Sequence, residues 1–587
     1  MAWQWRIAQR DSDAVETLVR ELLVSPLFAD ILISRGFRDP ALARAHLQTK
    51  LSDIEEPQVL KDMERAAQRL AKAIRERESI VIYGDYDVDG MSGTALLLNF
   101  LNGAGADVSF YIPNRLKEGY SFNPEAIASI LSRPRPPQVV ITVDHGISAV
   151  EGIAQLAAAG VDVIVTDHHE PPAELPSAAH ALVNPRQPDC PSRMKNLCGA
   201  AVAFKLAWAT AVALNGQKRV QEEFREFLID ATCLVAIATI ADVMPLEGEN
   251  RVICRHGLQA LSGRKHAGLR ALLAVAKLDK EPSISARQVG FQLGPRLNAA
   301  GRLGMAELAI ELLTTRDDAR AHALAVSLDE SNERRRAIER DMLAGILEHE
   351  DVKNSDGSAG ICLGARDWHP GVIGIAAARV ADRCRVPVMI CALNGEAGRG
   401  SARTRGGVDL AQLMHELLPL VVSGGGHKGA AGCTITEEQF PAFRKAFIER
   451  SRELLRSAPA EELAVDAEAR FAQLGPHLVR ELEGLAPHGA GNPIARFLIR
   501  NCHVLGPPRR VGRDASTLQF QLREGDQVLR AVAFGQGSRL PELMQGVPLD
   551  VVSELAFDDY RGEGEIQLRV VDFRPSAPKN SLSANRS

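Results

Sequence analysis

The sequence predicts a multidomain α/β protein: a parallel-sheet catalytic domain, a smaller α/β domain joined to it by a long helix, and a C-terminal β-barrel. Three observations predict it. From about residue 61, apolar strands alternate with amphipathic helical segments, the pattern of a parallel sheet covered on both faces. Residues 306–350 carry the longest stretch of helical periodicity. From residue 496, short segments with period-two patterning follow one another between polar turns, as in a small barrel. At 587 residues the chain is also too long for a single hydrophobic core.

The elements follow in order. Residues 1–60 read as an N-terminal helical cap, in which VETLVRELLV is amphipathic and ADILISRGFRDPALARAHL makes two short helices around Gly36 and Pro40. In residues 61–305, the catalytic domain, MERAAQRLAKAIRE, ALLLNFL, AIASIL and IAQLAAAG read as helices. The segments IVIY, VSFYIP, VVITV and VDVIVT read as the strands between them. The connecting helix, 306–350, has Leu324, Leu328, Ile338 and Leu343 as a buried stripe, while Arg334, Arg335, Arg336 and Arg340 crowd one part of it. Residues 351–456 form the second α/β domain, with AGICLGA and VPVMICAL as strands and two Gly-rich loops, GEAGRGSARTRGG and SGGGHKGAAG. Residues 456–475 read as an acidic linker into the barrel, 463–575, where Phe520, Phe534, Phe557 and Tyr560 are available for stacking. The tail, 576–587, has a disordered composition.

Composition sets limits on function. The 45% hydrophobic and 24% charged content is that of an ordinary globular protein. With 69 Lys and Arg against 74 Asp and Glu, the net charge of -5 excludes a protein basic all over but allows a basic groove. Nine cysteines contain no C-x-x-C pair, which argues against a zinc ribbon or disulfide framework and fits a reducing compartment. No run of 18 apolar residues and no apolar N-terminal core occur, so neither membrane spanning nor export is expected and the cytoplasm is the predicted location.

The chain is organised around residues 79–93, SIVIYGDYDVDGMSG. A short apolar strand runs into Asp85, Asp87 and Asp89, and a helix is expected to start near Thr94. Carboxylates at spacing two on an extended segment face one way and converge. Their mutual repulsion calls for a cation, and hard oxygen ligands suit magnesium or manganese. Two further strand ends repeat the theme: VVITVDHGIS places Asp144 and His145 after a strand, and VDVIVTDHHEPP does the same for Asp167, His168 and His169. Asp242, in LVAIATIADVMPL, is a fourth candidate after an apolar helix or strand. Ligand sites of parallel sheets lie at such carboxyl ends. The expectation is two divalent ions sharing a bridging carboxylate and activating water for attack on phosphorus.

Together GDYDVDG, the Asp144 segment, DHH at 167–169 and Asp242 resemble the ordered motifs of the DHH phosphoesterase superfamily. The similarity extends over essentially the whole chain to its RecJ branch, bacterial single-strand-specific 5′-to-3′ exonucleases. The resemblance implies a DHH catalytic domain, a DHH-associated substrate-binding domain, an oligonucleotide-binding barrel and two manganese or magnesium ions. It implies Asp87, Asp89, Asp144, His168 and Asp242 as metal ligands, with Asp85, Asp167 and His169 as catalytic groups; Asp85 and His169 are also candidate ligands. Other branches of the superfamily begin the first motif with a histidine, where this chain has Tyr83 or Asp85.

Substrate contacts are expected from the basic and aromatic segment 113–123, through Arg115, Lys117 and Tyr120. Arg302, in LGPRLNAAGRLG, is expected to contact a phosphate. In the second domain Arg399, Ser401, Arg403, His427 and Lys428 add donors to the Gly-rich segments, and His369 lies at a strand-to-helix turn. The resemblance has Ser401 and Arg403 hold a 5′-terminal phosphate. It also implies digestion of single-stranded DNA to mononucleotides, and roles in mismatch repair, base excision repair and stalled-fork processing. A monomer recruited by single-strand-binding protein and a helicase completes that expectation. Hydrolysis of short oligonucleotides or cyclic dinucleotides, and a non-enzymatic replication scaffold, are the competing readings; the extra domains and the intact acidic motifs weigh against them.

Overall fold

The computed structural model describes residues 3–113, 122–216, 220–395, 398–459, 461–512, 514–558 and 564–576. They form two compact units: residues 51–459 with 489–491, and residues 1–50 with 460–488 and 492–587. Arg115, Lys117, Tyr120 and Tyr560 lie outside the described residues, as does the tail from 577.

The larger unit contains a five-stranded, all-parallel sheet in the order Asp107–Tyr111, Ser79–Gly84, Val139–Val143, Asp162–Thr166, Ala181–Val183. Alternation assigns its faces. Ile80, Ile82 and Ile141 enter a core with Leu70, Leu96 and Leu206, whereas Val81, Val140 and Val163 meet Ile127 and Ile153 on the other side. Every predicted strand and helix of this region is present, including Met63–Glu76 and Pro124–Leu131.

One boundary differs, and it matters. The helix after the first strand spans Val88–Gly103 rather than starting near Thr94. Asp87 is its N-cap, its Oδ1 accepting from the backbone of Asp89 at 2.9 Å and Gly90 at 3.1 Å. Asp89 therefore sits in a helical first turn, and the three aspartates are not successive positions of an extended strand.

The sheet's helical side is held by a buried charge pair. Lys205 and Glu249, 1% and 4% exposed, stand 2.9 Å apart, and Lys205 Nζ donates to the Glu55 carbonyl at 2.7 Å. Lys205→Ala leaves Glu249 buried without its counter-ion and is expected to destabilise the protein by about 3–5 kcal/mol. Denaturant unfolding checks this, with Lys205→Met combined with Glu249→Leu recovering most of the loss.

The 31-residue helix Asp318–Glu348 joins two cores. Leu324 and Leu328 belong to the first, and Met342 and Ile346, with Ile338 and Leu343, to the second. Its arginines are engaged locally: Arg334 with Ser331, Arg335 with Glu339 and Asn332, and Arg336 with Glu333.

The second domain is a mixed sheet in the order Ser423–His427, Ala430–Ile435, Gly398–Arg403, Val388–Ala392, Ile361–Ala365. The two Gly-rich segments are thus largely strands, not loops. Their glycines serve close packing: a Cβ on Gly400 would lie 2.5 Å from Cys433 Sγ, and one on Gly426 2.4 Å from the Ala430 carbonyl oxygen. His427 pairs with Ala430, leaving Lys428 and Gly429 as the hairpin turn.

In the smaller unit a five-stranded barrel is formed by Phe497–Val511, Thr517–Glu524, Gln527–Ala533, Ile566–Pro575 and Leu549–Phe557, closed by pairing of the first with the last. FLIR and HVLG are one bent strand, whose halves pair with different neighbours across register shifts. The segment read as a linker is structured: Glu462–Val465 pairs in parallel with Gln4–Ile7, and Ala467–Glu468 extends the barrel sheet. Leu18, Phe28 and Ile31 of the N-terminal helices share a core with Phe497 and Phe520. Phe557 packs against that core, and Phe534 stays 65% exposed.

Candidate metal centre

Three adjacent strand ends deliver the candidate ligands to one rim. After Ser79–Gly84 the chain turns through Asp85 and Asp87 into the helix carrying Asp89. After Val139–Val143, Asp144 adopts the left-handed conformation (φ 66°), which aspartate tolerates at a cost and which bends the chain at the strand's end. After Asp162–Thr166 come Asp167, His168 and His169. Asp242 arrives from elsewhere, as the C-cap of helix Glu222–Ala241.

Side-chain donor atoms from these residues form three overlapping groups, with all atoms of a group within 4.8 Å of one another: Asp85, Asp87, Asp144; Asp89, His168, Asp242; and Asp144, His168, His169. Asp144 belongs to two groups and is the carboxylate placed to be shared. His168 Nε2 lies 3.0 Å from Asp144 Oδ1 and 3.7 Å from both Asp89 Oδ2 and Asp242 Oδ2. Asp144 Oδ1 and Asp242 Oδ2 are buried without a hydrogen-bond partner among the described residues. Unpartnered buried carboxylate oxygens facing an imidazole nitrogen fit a hard divalent cation, which satisfies all of them at once.

The electrostatics agree. Burial, then the charges of its neighbours Asp89, Asp87, Asp85 and Asp242, push Asp144 well above the usual carboxylate range. Burial and the charges of Asp89 and Asp87 raise Asp242 to about 8. Asp89 rises to about 6 through burial and Asp87, although the Ala200 and Gly199 amides pull it back. Burial lowers His168 to about 3, so its ring is neutral and can ligate.

Asp167 has a different position. Its Oδ1 accepts from the backbone of His168 (2.7 Å) and His169 (3.1 Å) and from His169 Nδ1 (2.8 Å), and its Oδ2 accepts from Ile147 N (2.9 Å). It holds the His169 ring. Burial alone would lower the pKa of His169, but the Asp167 hydrogen bond and charge prevail and raise it to about 9. His145 turns away from the centre, its Nε2 2.9 Å from the Tyr83 carbonyl and its ring against Tyr83 and Phe122.

Several supports escaped sequence reading. The backbone of Gly199 and Ala200, opening helix Gly199–Asn215, donates to Asp89 at 2.6 and 2.7 Å. A Cβ on Gly199 would lie 2.6 Å from Asp144 Cβ. The only signal was a glycine at the start of an apolar helix, a weak one. Residues 293–304 are mostly helix, Gly294–Arg302, packed on the Asp85–Asp89 turn: Asn298 Oδ1 accepts from Val88 N at 3.2 Å, and a Cβ on Gly301 would lie 1.9 Å from the Tyr86 carbonyl oxygen.

That helix leads directly to a second cluster. Arg302 Nη1 donates to the Gly371 carbonyl at 3.0 Å, and His369 Nδ1 accepts from Gly371 N at 3.0 Å. Just beyond begins helix Ile373–Cys384; a Cβ on Gly374 in its first turn would lie 2.9 Å from Ser401 Oγ and 3.1 Å from Arg403 Nη2. Arg403 Nη1 donates to Ser401 Oγ at 3.0 Å. Arg399, Ser401 and Arg403 alternate on one face of their strand. A helix N-terminus with a hydroxyl and guanidinium groups is suited to an anion. His427 is solvent-exposed, yet the protein packed near it and the charges of His169 and Arg186 lower its pKa. Lys428, in the hairpin turn, makes no contact among the described residues that places it at either cluster.

Comparison with known proteins agrees with this arrangement. Residues 79–238 match the DHH family, N-terminal domain; 358–453 match the DHHA1 domain; 465–572 match the RecJ OB domain. The chain is 36% identical over 574 residues to the Bacillus subtilis (strain 168) protein named single-stranded-DNA-specific exonuclease RecJ, covering 97% of this chain and 70% of the relative. It is similar to the crystal structure of RecJ in complex with Mn2+ from Thermus thermophilus, with TM-score 0.82, 31% identity, and 98% of this chain and 80% of that chain covered. The Mg2+ complex from the same organism matches with TM-score 0.76, 29% identity, and coverage of 98% and 79%. Motifs, domain series and full-length similarity coincide, and the chain belongs to the RecJ family.

Proposed function

We propose that this protein degrades single-stranded DNA from the 5′ end, releasing mononucleotides. It is a metal-dependent exodeoxyribonuclease acting on single strands, by family and by its acidic divalent-ion site. The direction of digestion and the roles of individual residues are our reading. The observation that carries it is the direct link between the two clusters: Gly301 packs on Tyr86 of the metal turn while the next residue, Arg302, bonds Gly371 beside Ser401 and Arg403. A phosphate anchor adjoining a hydrolytic centre favours cleavage one step from a terminus.

On this reading Asp87, Asp89, Asp144, His168 and Asp242 hold two divalent ions, manganese or magnesium, and Asp85 stands with the first group. Such ions supply Lewis acidity toward the phosphoryl oxygens and lower the pKa of water. The chain's own groups do the rest. Arg302, Ser401, Arg403 and His369 hold the terminal phosphate, with Arg399, His427 and Lys428 along the strand path. Water's oxygen bonds to phosphorus and gives up a proton to solvent, the P–O3′ bond breaks, and the 3′ oxygen takes a proton. His169, half-exposed and oriented by Asp167, whose hydrogen bond and charge raise its pKa against burial, is the donor. Family kinship also supports a cytoplasmic monomer, recruited by single-strand-binding protein and a helicase in mismatch repair, base excision repair and stalled-fork processing. Among the described residues no helix is long and apolar enough to cross a membrane.

The test is digestion of a strand labelled at either end, in manganese, magnesium or chelator. A 5′ label should appear at once as mononucleotide, a 3′ label should persist on shortening strands, and chelator should stop both. Early release of the 3′ label would overturn the polarity. Arg403→Ala should cut the preference for a 5′-phosphate over a 5′-hydroxyl by about 10-fold or more, the worth of a charged hydrogen bond.

A further inference from the structure

A fourth strand end faces the same rim. The strand Ala181–Val183 lies next to Asp162–Thr166 and is followed by Asn184, Pro185 and Arg186. Asn184 is fully buried; its Nδ2 donates to the His169 carbonyl at 2.9 Å and its Oδ1 accepts from Arg186 N at 2.7 Å. The turn is thereby fixed against the His168–His169 segment. The guanidinium of Arg186 is fixed as well: Nε donates to the Lys195 carbonyl at 3.2 Å, Nη2 to Asn196 Oδ1 at 3.4 Å, and Nη1 pairs with Glu170 Oε2 at 3.1 Å.

Three acceptors leave two of the five guanidinium N–H groups without a protein acceptor among the described residues. The side chain is 28% exposed. Its only ion pair among the described residues is with Glu170, and it pairs with none of the ligand carboxylates. A cation present only to neutralise those aspartates would contact them. Arg186 is instead held by the Lys195 carbonyl, Asn196 Oδ1 and Glu170, at the strand end next to the one that carries the His168–His169 segment.

We infer that Arg186 is a catalytic residue that clamps the non-bridging oxygens of the scissile phosphodiester with its two remaining N–H groups. The assignment rests on the nuclease reading above. As water's oxygen bonds to phosphorus and the P–O3′ bond breaks, negative charge accumulates on those oxygens, and a planar, permanently charged fork suits it.

The experiment compares wild type, Arg186→Ala and Arg186→Lys in single-turnover cleavage of single-stranded DNA. Manganese affinity is measured calorimetrically without DNA, and strand binding in calcium. Arg186→Ala should lose about 10²–10³-fold in the cleavage rate, while manganese and strand affinities stay within about 3-fold. Arg186→Lys should remain at least about 10-fold slow, because an ammonium cannot fork. Added guanidinium ion should partly restore the alanine variant. A rate within about 3-fold of wild type, or a manganese affinity that falls in step with the rate, overturns the inference. Should wild type itself fail to cleave single-stranded DNA, the proposed function falls, and this inference with it; an active wild type with an equally active alanine variant removes Arg186 alone.

Discussion

Asp144→Asn should reduce cleavage by about 10³–10⁵-fold while making the metal-free protein more stable. The rate effect follows from membership of two ligand groups, since one substitution weakens both ion sites and each ion supplies several kcal/mol of transition-state stabilisation. The stability effect follows from repulsion. Asp144 is buried among four other aspartates whose charges oppose its own, and a neutral isostere removes that opposition. Single-turnover cleavage and thermal melting in chelator measure the two. A variant that is inactive but melts lower than wild type would point to damaged folding, and one that retains activity would dismiss the shared carboxylate. Asp167→Asn offers the contrast: it orients His169 and contacts no proposed ion, so a loss of about 10–100-fold is expected.

Metal should stabilise the protein more as pH rises. In the metal-free chain Asp89 stands near 6 and Asp242 near 8, and burial with the neighbouring aspartates holds Asp144 well above the usual carboxylate range, all above the unfolded value of 3.8; His169 stands near 9 against 6.5. Groups raised on folding contribute stability below their unfolded pKa and lose it as pH climbs through the folded one. His145 near 4 and His168 near 3 work the other way, but only below about pH 6.5. Between about pH 6.5 and 9 the metal-free protein should therefore lose stability. Two divalent ions, each at about 100 times its Kd, restore about 5 kcal/mol. The gain on adding manganese should exceed that at pH 6.5 by about 1–3 kcal/mol at pH 8.5, because protons no longer compete for the carboxylates. Melting curves at the two pH values, with manganese and with chelator, decide it; a metal-free protein that gains stability from pH 6.5 to 8.5 would contradict the electrostatic picture.

The legible parts of this fold are those where one local rule decides. Apolar runs such as VVITV and VDVIVT are buried on both faces, so the strands and the residues at their ends could be read directly. The misread parts are those where tertiary packing overrides a local signal. Gly400 and Gly426 look like loop markers, but their missing side chains admit Cys433 and the Ala430 backbone, so those segments are strands. Asp87 was legible as a candidate ligand, but its capping of Val88–Gly103 was not, because an Asx cap and an extended acidic turn share a composition. The grip of Gly199 and Ala200 on Asp89 spans 110 and 111 positions, which no local pattern encodes. Asn184 and Arg186 belong to the same class: N-P-R reads as a turn, and only the neighbouring strand gives it something to face.

The adjacency of Gly301 and Arg302 carries a geometric consequence. One residue presses on the turn that bears the acidic groups, and the next reaches the site proposed to grasp the chain's terminus. Jaw and stop are then cut from a single piece, with no joint between them to lengthen or shorten. On the proposed reading, a tool built that way takes bites of one size, whichever bases are fed through it.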